Sequence, residues 1–323
     1  MSSSRAVSSE ATNLLLTFSG RKSYVFSALA RSARAGSIVA ADADPAAPIR
    51  AHAKTFACVP RASDAEAYLA ALEELCDAHA IDAILPLNDL DLCLLTRDRA
   101  RFAEVGAQVL GAPAATTEIL CDKLRAASWL TEQGFRTPET WLASDPVVRS
   151  ARTARRRIVK ERHGQGSQGF RVLERDDDLA ALSPTLVVQD HIDGRHFDLD
   201  ILRAPNGEVV SVVPKEKLES SGGTACITRS VADPRLVELG VALGSAIEHV
   251  GVIDVDVIAE GDVLHVLEVN PRLGGCFPFA CIFCPQLADA LLAIARGESP
   301  AAFLGAYRKD VAAAREWCFV ELP

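Results

Sequence analysis

The sequence predicts an α/β protein in which an N-terminal doubly wound parallel sheet precedes two α+β lobes. Three observations carry that class. Short apolar runs alternate with helical patterns from 13 to 110, as parallel βαβ units require. From 157 onward, stretches with period-two alternation are joined by turn signals such as Pro205-Asn-Gly207 and Glu260-Gly-Asp262, the mark of hairpins. At 323 residues the chain is long enough for two or three lobes with their own cores.

Composition narrows the function classes. The chain is 49% hydrophobic and 24% charged, which is ordinary for a water-exposed globular protein. Its net charge is −9 and its only basic block runs from Arg152 to Arg157, which argues against a nucleic-acid surface. A phosphate site remains open, because it needs positive charge only locally. No apolar run reaches the length that spans a bilayer, so no membrane partner is expected. Residues 1–12 are rich in Ser and Ala and lack the apolar core of an export signal. They read as a disordered start to a cytoplasmic protein.

The nine cysteines are scattered and odd in number, as for free buried thiols in a reducing compartment. Cys276, Cys281 and Cys284 have a C-x4-C-x2-C spacing seen in iron–sulfur proteins, with Cys318 available as a fourth ligand. Their segment is Cys-Phe-Pro-Phe-Ala-Cys-Ile-Phe-Cys-Pro, however, and a hydrophobic core would take it without any metal.

The elements follow in order. Asn13 to Phe18 is an apolar strand ended by Ser19-Gly20-Arg21, and a helical pattern runs from Tyr24 to Ala33. Ser37 to Asp42 and Thr55 to Val59 are the second and third strands. Ser63 with Glu66 three residues on forms a capping box for a helix reaching His79. Ala83 to Pro86 is a fourth strand, followed by Asn88-Asp89 and another helix, and Gln108 to Leu110 is a short fifth strand. The single glycine after the first strand falls short of the G-x-G-x-x-G fingerprint of a dinucleotide site, although Asp42 ends the second strand where such folds hold a ribose. Loops at the carboxyl ends of parallel strands line a cleft, so Arg21, Asp42, Asn88 and Asp89 are substrate-pocket candidates. Helix capping is the competing role for Asn88 and Asp89.

A second unit opens near Pro113. Thr116 or Thr117 caps a helix that Cys121 to Leu130 carries toward Gly134. Arg157 to Glu161 is a strand, otherwise apolar around Lys160, and it leads into the loop His163-Gly-Gln-Gly-Ser-Gln-Gly-Phe170. Glycines at 164, 166 and 169 let a backbone fold over phosphates and offer N–H donors. No helix follows, so this is not a Walker loop, and an unliganded hairpin turn is the alternative. Arg171 to Leu173 and Leu186 to Asp190 are strands, and His191-Ile-Asp-Gly194 turns the chain. His196 to Leu202 pairs with Glu208 to Pro214, Ser220 to Thr224 is a polar loop, and Arg235 to Val250 is an amphipathic helix. Val252 to Ile258 forms a hairpin with Val263-Leu-His-Val-Leu-Glu-Val-Asn-Pro-Arg272, and Leu287 to Ala295 is a closing apolar helix.

That last strand carries the chemistry. Glu268, Asn270 and Arg272 are spaced by two and project from one face. A carboxylate, an amide oxygen and a guanidinium together suit a magnesium-bound polyphosphate. Asp254 and Asp256 share a face of the facing strand, so Asp256 can join Glu268 and Asn270 over one metal.

The ordered series Asp122-Lys123, Ile158-Val-Lys160, the Gly164–Gly169 loop, Val187-Val-Gln-Asp190, the Gly194 turn and Glu268-Val-Asn-Pro-Arg272 resembles the ATP-grasp superfamily, close to its carbamoyl-phosphate synthetase and biotin carboxylase-like branch. The resemblance covers 13 to 296. It implies an ATP-grasp fold in which two α+β lobes sandwich ATP. Those two lobes would be a small lid subdomain at 113–190 and a C-terminal subdomain with the metal site at 191–323, behind a pre-ATP-grasp domain at 13–112. It also implies roles. Lys123 and Lys160 contact ATP. Gly164, Gly166, Ser167 and Gly169 close over the phosphates. Gln189, Asp190 and Ile192 form a hinge whose backbone reads adenine, and His196 touches the ribose. Asp256, Glu268 and Asn270 hold Mg²⁺, with Mn²⁺ admitted in its place, and Arg272 steadies the transferred phosphoryl group. Lys215, Lys217 and Arg229 are further candidates for phosphate or substrate carboxylate. The expected reaction activates a small-molecule carboxylate as an acyl phosphate and joins it to an amine. The alternatives are a kinase that stops at phosphoryl transfer and a non-catalytic nucleotide- or metabolite-binding module. A homodimer is compatible with this reading.

Overall fold

A computed structural model gives the fold and describes residues 11–150, 156–164, 169–173 and 182–322. Five parallel strands, β1 (Thr12–Thr17), β2 (Ala35–Asp42), β3 (Thr55–Cys58), β4 (Ala83–Pro86) and β5 (Gln108–Val109), form the first sheet in the order β3-β2-β1-β4-β5. The order reverses between β1 and β4, which opens a crevice at their carboxyl ends. The apolar run Leu14-Leu15-Leu16 is buried on both faces, as a central parallel strand must be. Leu15 packs under α2 (Ala65–Ala78), while Leu14 and Leu16 pack with Val25 and Leu29 of α1 (Ser23–Ala30).

Two helix starts differ from expectation. Ser63 does not cap α2; Asp64 occupies the cap position and no side chain bonds there. Thr116 and Thr117 lie inside α5 (Ala114–Leu120). The cap that matters is Asp122, whose carboxylate accepts from Leu124 N at 3.1 Å and Arg125 N at 3.3 Å to open α6 (Lys123–Glu132). The helix after β4 is also broken, into α3 (Asp89–Arg97) and α4 (Arg99–Glu104).

The small lobe is a four-stranded antiparallel sheet. Its strands are β6 (Thr140–Leu142), β7 (Arg157–Glu161), β8 (Arg171–Leu173) and β9 (Leu186–Asp190), in the order β6-β9-β7-β8, and α7 (Pro146–Ser150) follows β6. Val159, Leu173 and Val188 form its core. Strand alternation therefore turns Ile158, Lys160 and Gln189 the other way.

The large lobe is a six-stranded antiparallel sheet of β10 (Arg195–Arg203), β11 (Val209–Ser221), β12 (Thr224–Ser230), β13 (Gly251–Glu260), β14 (Val263–Asn270) and β15 (Ala312–Ala314). Its order is β14-β13-β10-β11-β12-β15. The expected polar loop at Ser220 to Thr224 is a tight turn, because β11 and β12 run up to Gly222 and Gly223 on either side. Helix α8 (Pro234–Ala246) stops short of Val250 and packs on one face of the sheet. Its Gly240 and Gly244 make that contact close: a Cβ would lie 2.5 Å from Val212 and 2.7 Å from Val209. Leu120 of α5 and Leu130 of α6 join the same core. The segment at 114–132 thus packs on the large lobe rather than only on the small one.

Helices α9 (Phe277–Phe283) and α10 (Leu287–Ile294) fill the space between the N-terminal sheet and the large lobe. Cys276 and Cys284 are buried there among Phe277, Phe279 and Phe283. Among the described residues no single helix is long and apolar enough to cross a membrane.

Candidate active site

Strand register concentrates charge at one place. Asp198 lies opposite Asp256, and Asp200 opposite Asp254, across β10 and β13. On the other side of β13, Asp256 lies opposite Glu268 and Asp254 opposite Asn270. Lys215 of β11 reaches Asp198 at 2.6 Å and Asp200 at 2.5 Å, and Lys217 contacts Asp256. Each unpaired buried ion costs on the order of several kcal/mol in a low-dielectric interior. Two lysines do not balance the acids. Burial, then the neighbouring Asp198 and Asp256, push the Asp254 carboxyl well above the usual range, and Asp200 is pushed up to about 6. Asp254 Oδ1 is buried with no hydrogen-bond partner. Gly274 lies directly against this carboxylate, where a Cβ would sit 2.3 Å from its carbon.

Two cavities meet at this acidic wall. Both are lined by Lys217, Gly223, Asp256 and Glu268. One, of about 270 Å³, lies between the small and large lobes and is bounded by Lys123, Lys160, Gly164, Gln189 and His196. The other, of about 340 Å³, opens toward the N-terminal sheet and is bounded by Lys22, Tyr24, Asp198, Asp254, Asn270 and Arg272.

In the first cavity Lys123 bridges the lobes. Its Nζ donates to Gly164 O at 2.6 Å and lies 3.1 Å from Glu268 Oε1. Asp122, its neighbour, takes a two-pronged contact from Arg162 at 2.7 to 3.0 Å, which ties α6 to the end of β7. Burial lowers the Lys160 pKa against the pull of Glu268. Burial alone would raise Glu268, but Lys160 and Lys123 hold it below the usual range. Gln189 donates to Thr140 at 2.7 Å, and Ile192 is buried just beyond β9. The His196 pKa is lowered by burial and by Lys217.

In the second cavity Arg272 is only 8% exposed. Asp89 accepts from its Nε at 2.5 Å, and Asn270 Oδ1 accepts from its Nη2 at 3.3 Å. Burial works against its charge, while Asp89 and Asp254 raise its pKa. Lys22 faces it from the start of α1 and donates to Leu87 O. Burial, then Arg272, bring Lys22 down to about 8.

The structure thus brings together Lys123, Lys160, Gly164, Gln189, His196, Asp256, Glu268, Asn270 and Arg272. Asp190 ends β9 beside Gln189, and Gly169 lies against the Glu161 side chain. Gly166 and Ser167 fall outside the described residues. Five other candidates take different places. Arg229 pairs with Glu216 at 2.7 Å on the sheet face turned away from Lys215 and Lys217, because it stands opposite an even position of β11. Lys215 is fully buried beneath the wall, with its ammonium taken up by Asp198, Asp200 and the Val213 carbonyl, so it cannot meet a substrate. Arg21 is exposed and lines neither cavity. Asn88 is the cap of α3, accepting from Leu90 N at 2.9 Å, while Asp89 serves Arg272. Sequence reasoning missed Lys22, Tyr24 and Asp198. The alternation His196-Phe-Asp-Leu-Asp200 signals Asp198, whereas nothing local distinguishes Lys22 from Arg21.

Comparison with known proteins agrees with this geometry. Residues 14–110 match the model of a PylC-like N-terminal domain, and residues 120–276 match that of an ATP-grasp domain. A 3-methyl-D-ornithine–L-lysine ligase from Methanosarcina mazei is 24% identical over 267 residues, 82% of this chain and 67% of the ligase. Its counterpart from Methanosarcina barkeri is 26% identical over 258 residues, 78% of this chain and 65% of that protein. The chain therefore spans about two thirds of the length of these relatives. The biotin carboxylase domain of Hydrogenobacter thermophilus 2-oxoglutarate carboxylase, solved with MgADP and bicarbonate, superposes with a TM-score of 0.73 at 16% identity, covering 93% of this chain and 73% of that one. With its two family domains in series and the site at their junction, the chain belongs to the ATP-grasp superfamily, carrying an ATP-grasp domain behind a PylC-like N-terminal domain.

Proposed function

We propose that the protein is an ATP- and Mg²⁺-dependent ligase that activates a small-molecule carboxylate as an acyl phosphate and joins it to an amine. The observation that carries this reading is the shared acidic wall: one cavity lined by Lys123 and Lys160 and another lined by Lys22 and Arg272 meet at Asp256 and Glu268. A nucleotide in the first and a carboxylate in the second would face each other across those two carboxylates. Relatives named as ligases of two amino acids support small amino-acid substrates.

The wall suits a divalent cation. Asp256, Glu268 and Asn270 offer hard oxygens from adjacent strands, and the crowding that raises Asp254 and Asp256 marks an excess of negative charge. Mg²⁺ held by Asp256, Glu268 and Asn270, or Mn²⁺ in its place, would neutralise phosphate charge there. The chain's own residues do the rest. Lys123 and Lys160 hold phosphate oxygens from the lid side, with the Gly164 backbone beside them. Backbone groups of Asp190 and Ile192 read adenine beside Gln189, and His196 reaches the ribose. Arg272, fixed by Asp89, grips the oxygens that move between phosphate and carboxylate. Catalysis rests on positioning and charge, and no covalent protein nucleophile is needed.

A kinase reading shares the first half of this chemistry. Release of ADP and phosphate separates the two. The ligase releases both in amounts equal to amide formed, and only when carboxylate and amine are both present. ADP release that is indifferent to the amine, with a phosphorylated product, would replace this reading with the kinase.

A further inference from the structure

The outer end of the cavity that holds Arg272 is walled by Tyr24, Thr224 and Gly275, which come from three separate stretches of chain. They converge closely. A Cβ on Gly275 would lie 3.7 Å from Tyr24 Oη, 3.9 Å from Thr224 Cγ2 and 3.9 Å from Arg315 Nη2. Arg315 lies behind this wall. Its guanidinium carbon sits 4.2 Å from the centroid of the Tyr24 ring, a cation–π contact. Its Nη2 donates to Gly275 O at 2.7 Å. Its main-chain N donates to Cys226 O at 2.8 Å, which extends the pairing of β15 with β12. One residue therefore joins the N-terminal domain, the turn after β14 and the far side of the large sheet.

We infer that Arg315 is a specificity-determining residue: by positioning Tyr24 and the Gly275 turn, it fixes the outer wall of the substrate cavity and so the size of the molecule that fits between that wall and Arg272. This rests on the ligase reading for the identity of the cavity's occupant. The wall residues Tyr24, Thr224 and Gly275 line no part of the lid-side cavity, so the effect belongs to the substrate and not to ATP. A planar guanidinium can stack on the Tyr24 ring and bond a carbonyl at the same time. A lysine can do only one of these.

The test is a ligand-induced thermal-shift titration of the full chain with the L- and D-forms of alanine, ornithine, lysine and phenylalanine. It is run on wild type, Arg315→Ala and Arg315→Lys, with a non-hydrolysable ATP analogue titrated in parallel. Arg315→Ala should weaken the preferred amino acid about tenfold, the scale on which pockets discriminate side-chain size. It should strengthen binding of bulkier ones relative to it, and leave the ATP analogue within twofold. Arg315→Lys should fall between the two. If Arg315→Ala does not fold, Tyr24→Leu removes the wall directly and should give the same shift in ranking. An unchanged ranking in the folded variants overturns the inference, and so does a wild type that binds none of the panel. A wild type that binds the panel and shows the shift, yet releases no ADP with any carboxylate and amine, leaves the wall standing and removes the ligase reading.

Discussion

Successive residues on β10 and β13 alternate between two environments. Phe197, Leu199, Ile201, Val255 and Val257 face α8 and form a dry apolar core. Asp198, Asp254 and Asp256 face the cavities with Lys217, while Asp200 and Lys215 lie buried in the same ionic layer beneath them. The backbone is the same and the period of two separates the environments. One face gains stability by burying carbon. The other gives up stability, because its charges must be desolvated and only partly compensate one another. A face that costs stability and stays ionic is where binding chemistry belongs, since an arriving cation relieves its excess of negative charge.

Breaking the ionic face should have the largest effect. We predict that Lys215→Met, which strands Asp198 and Asp200, costs about 3–5 kcal/mol in chemical denaturation. Adding Asp198→Asn and Asp200→Asn should recover part of it. A neutral Lys215→Met would mean that the lysine does not hold this layer together. On the apolar face Leu199→Ala should cost about 2–5 kcal/mol through a cavity, with no selective loss of ATP turnover in the protein that remains folded.

A buried carboxylate elsewhere sharpens the contrast. Asp91 of α3 accepts hydroxyl protons from Thr17 and Tyr68 and touches no cation through hydrogen bonds. Burial pushes it up to about 6 from 3.8. The folded state thus binds a proton more tightly than the unfolded chain, so this group favours folding below pH 3.8 and loses that advantage as pH rises through 6. The swing is about 3 kcal/mol at most. Asp91→Asn should flatten the stability profile between pH 4 and 6. A profile identical to wild type would show that Asp91 does not titrate there.

Function-specific changes come next. Glu268→Gln should lower ATP turnover at least a hundredfold, roughly 2.7 kcal/mol, with little change in stability. Near-wild-type turnover would remove Glu268 from the metal wall. Arg229→Ala, on the opposite face with its Glu216 pair partly exposed, should change stability by about 0–1 kcal/mol and turnover by less than threefold. A large loss of turnover would return Arg229 to the site.

Much of this arrangement was legible in the sequence because strands advertise their faces. Glu268-Val-Asn270 and Asp254-Val-Asp256 carry their spacing openly, and so does the turn that pairs them. Residues supplied by other elements were harder. Arg229 and Lys215 are both basic and fifteen positions or fewer apart, but their odd and even registers on paired strands send one outside and bury the other. Lys22, Tyr24 and Arg315 reach the site only because three lobes pack together, and no local pattern encodes that. The caps expected at Ser63 and at Thr116 or Thr117 do not form, because several polar residues compete near each start and tertiary packing chooses among them.

The central claim is that the two cavities exchange an oxygen across the acidic wall through an acyl phosphate. Labelling the substrate carboxylate with oxygen-18 tests it directly. Turnover with ATP, Mg²⁺ and an amine should transfer one labelled oxygen to inorganic phosphate for each amide formed. Phosphate free of label, with amide still produced, would contradict it.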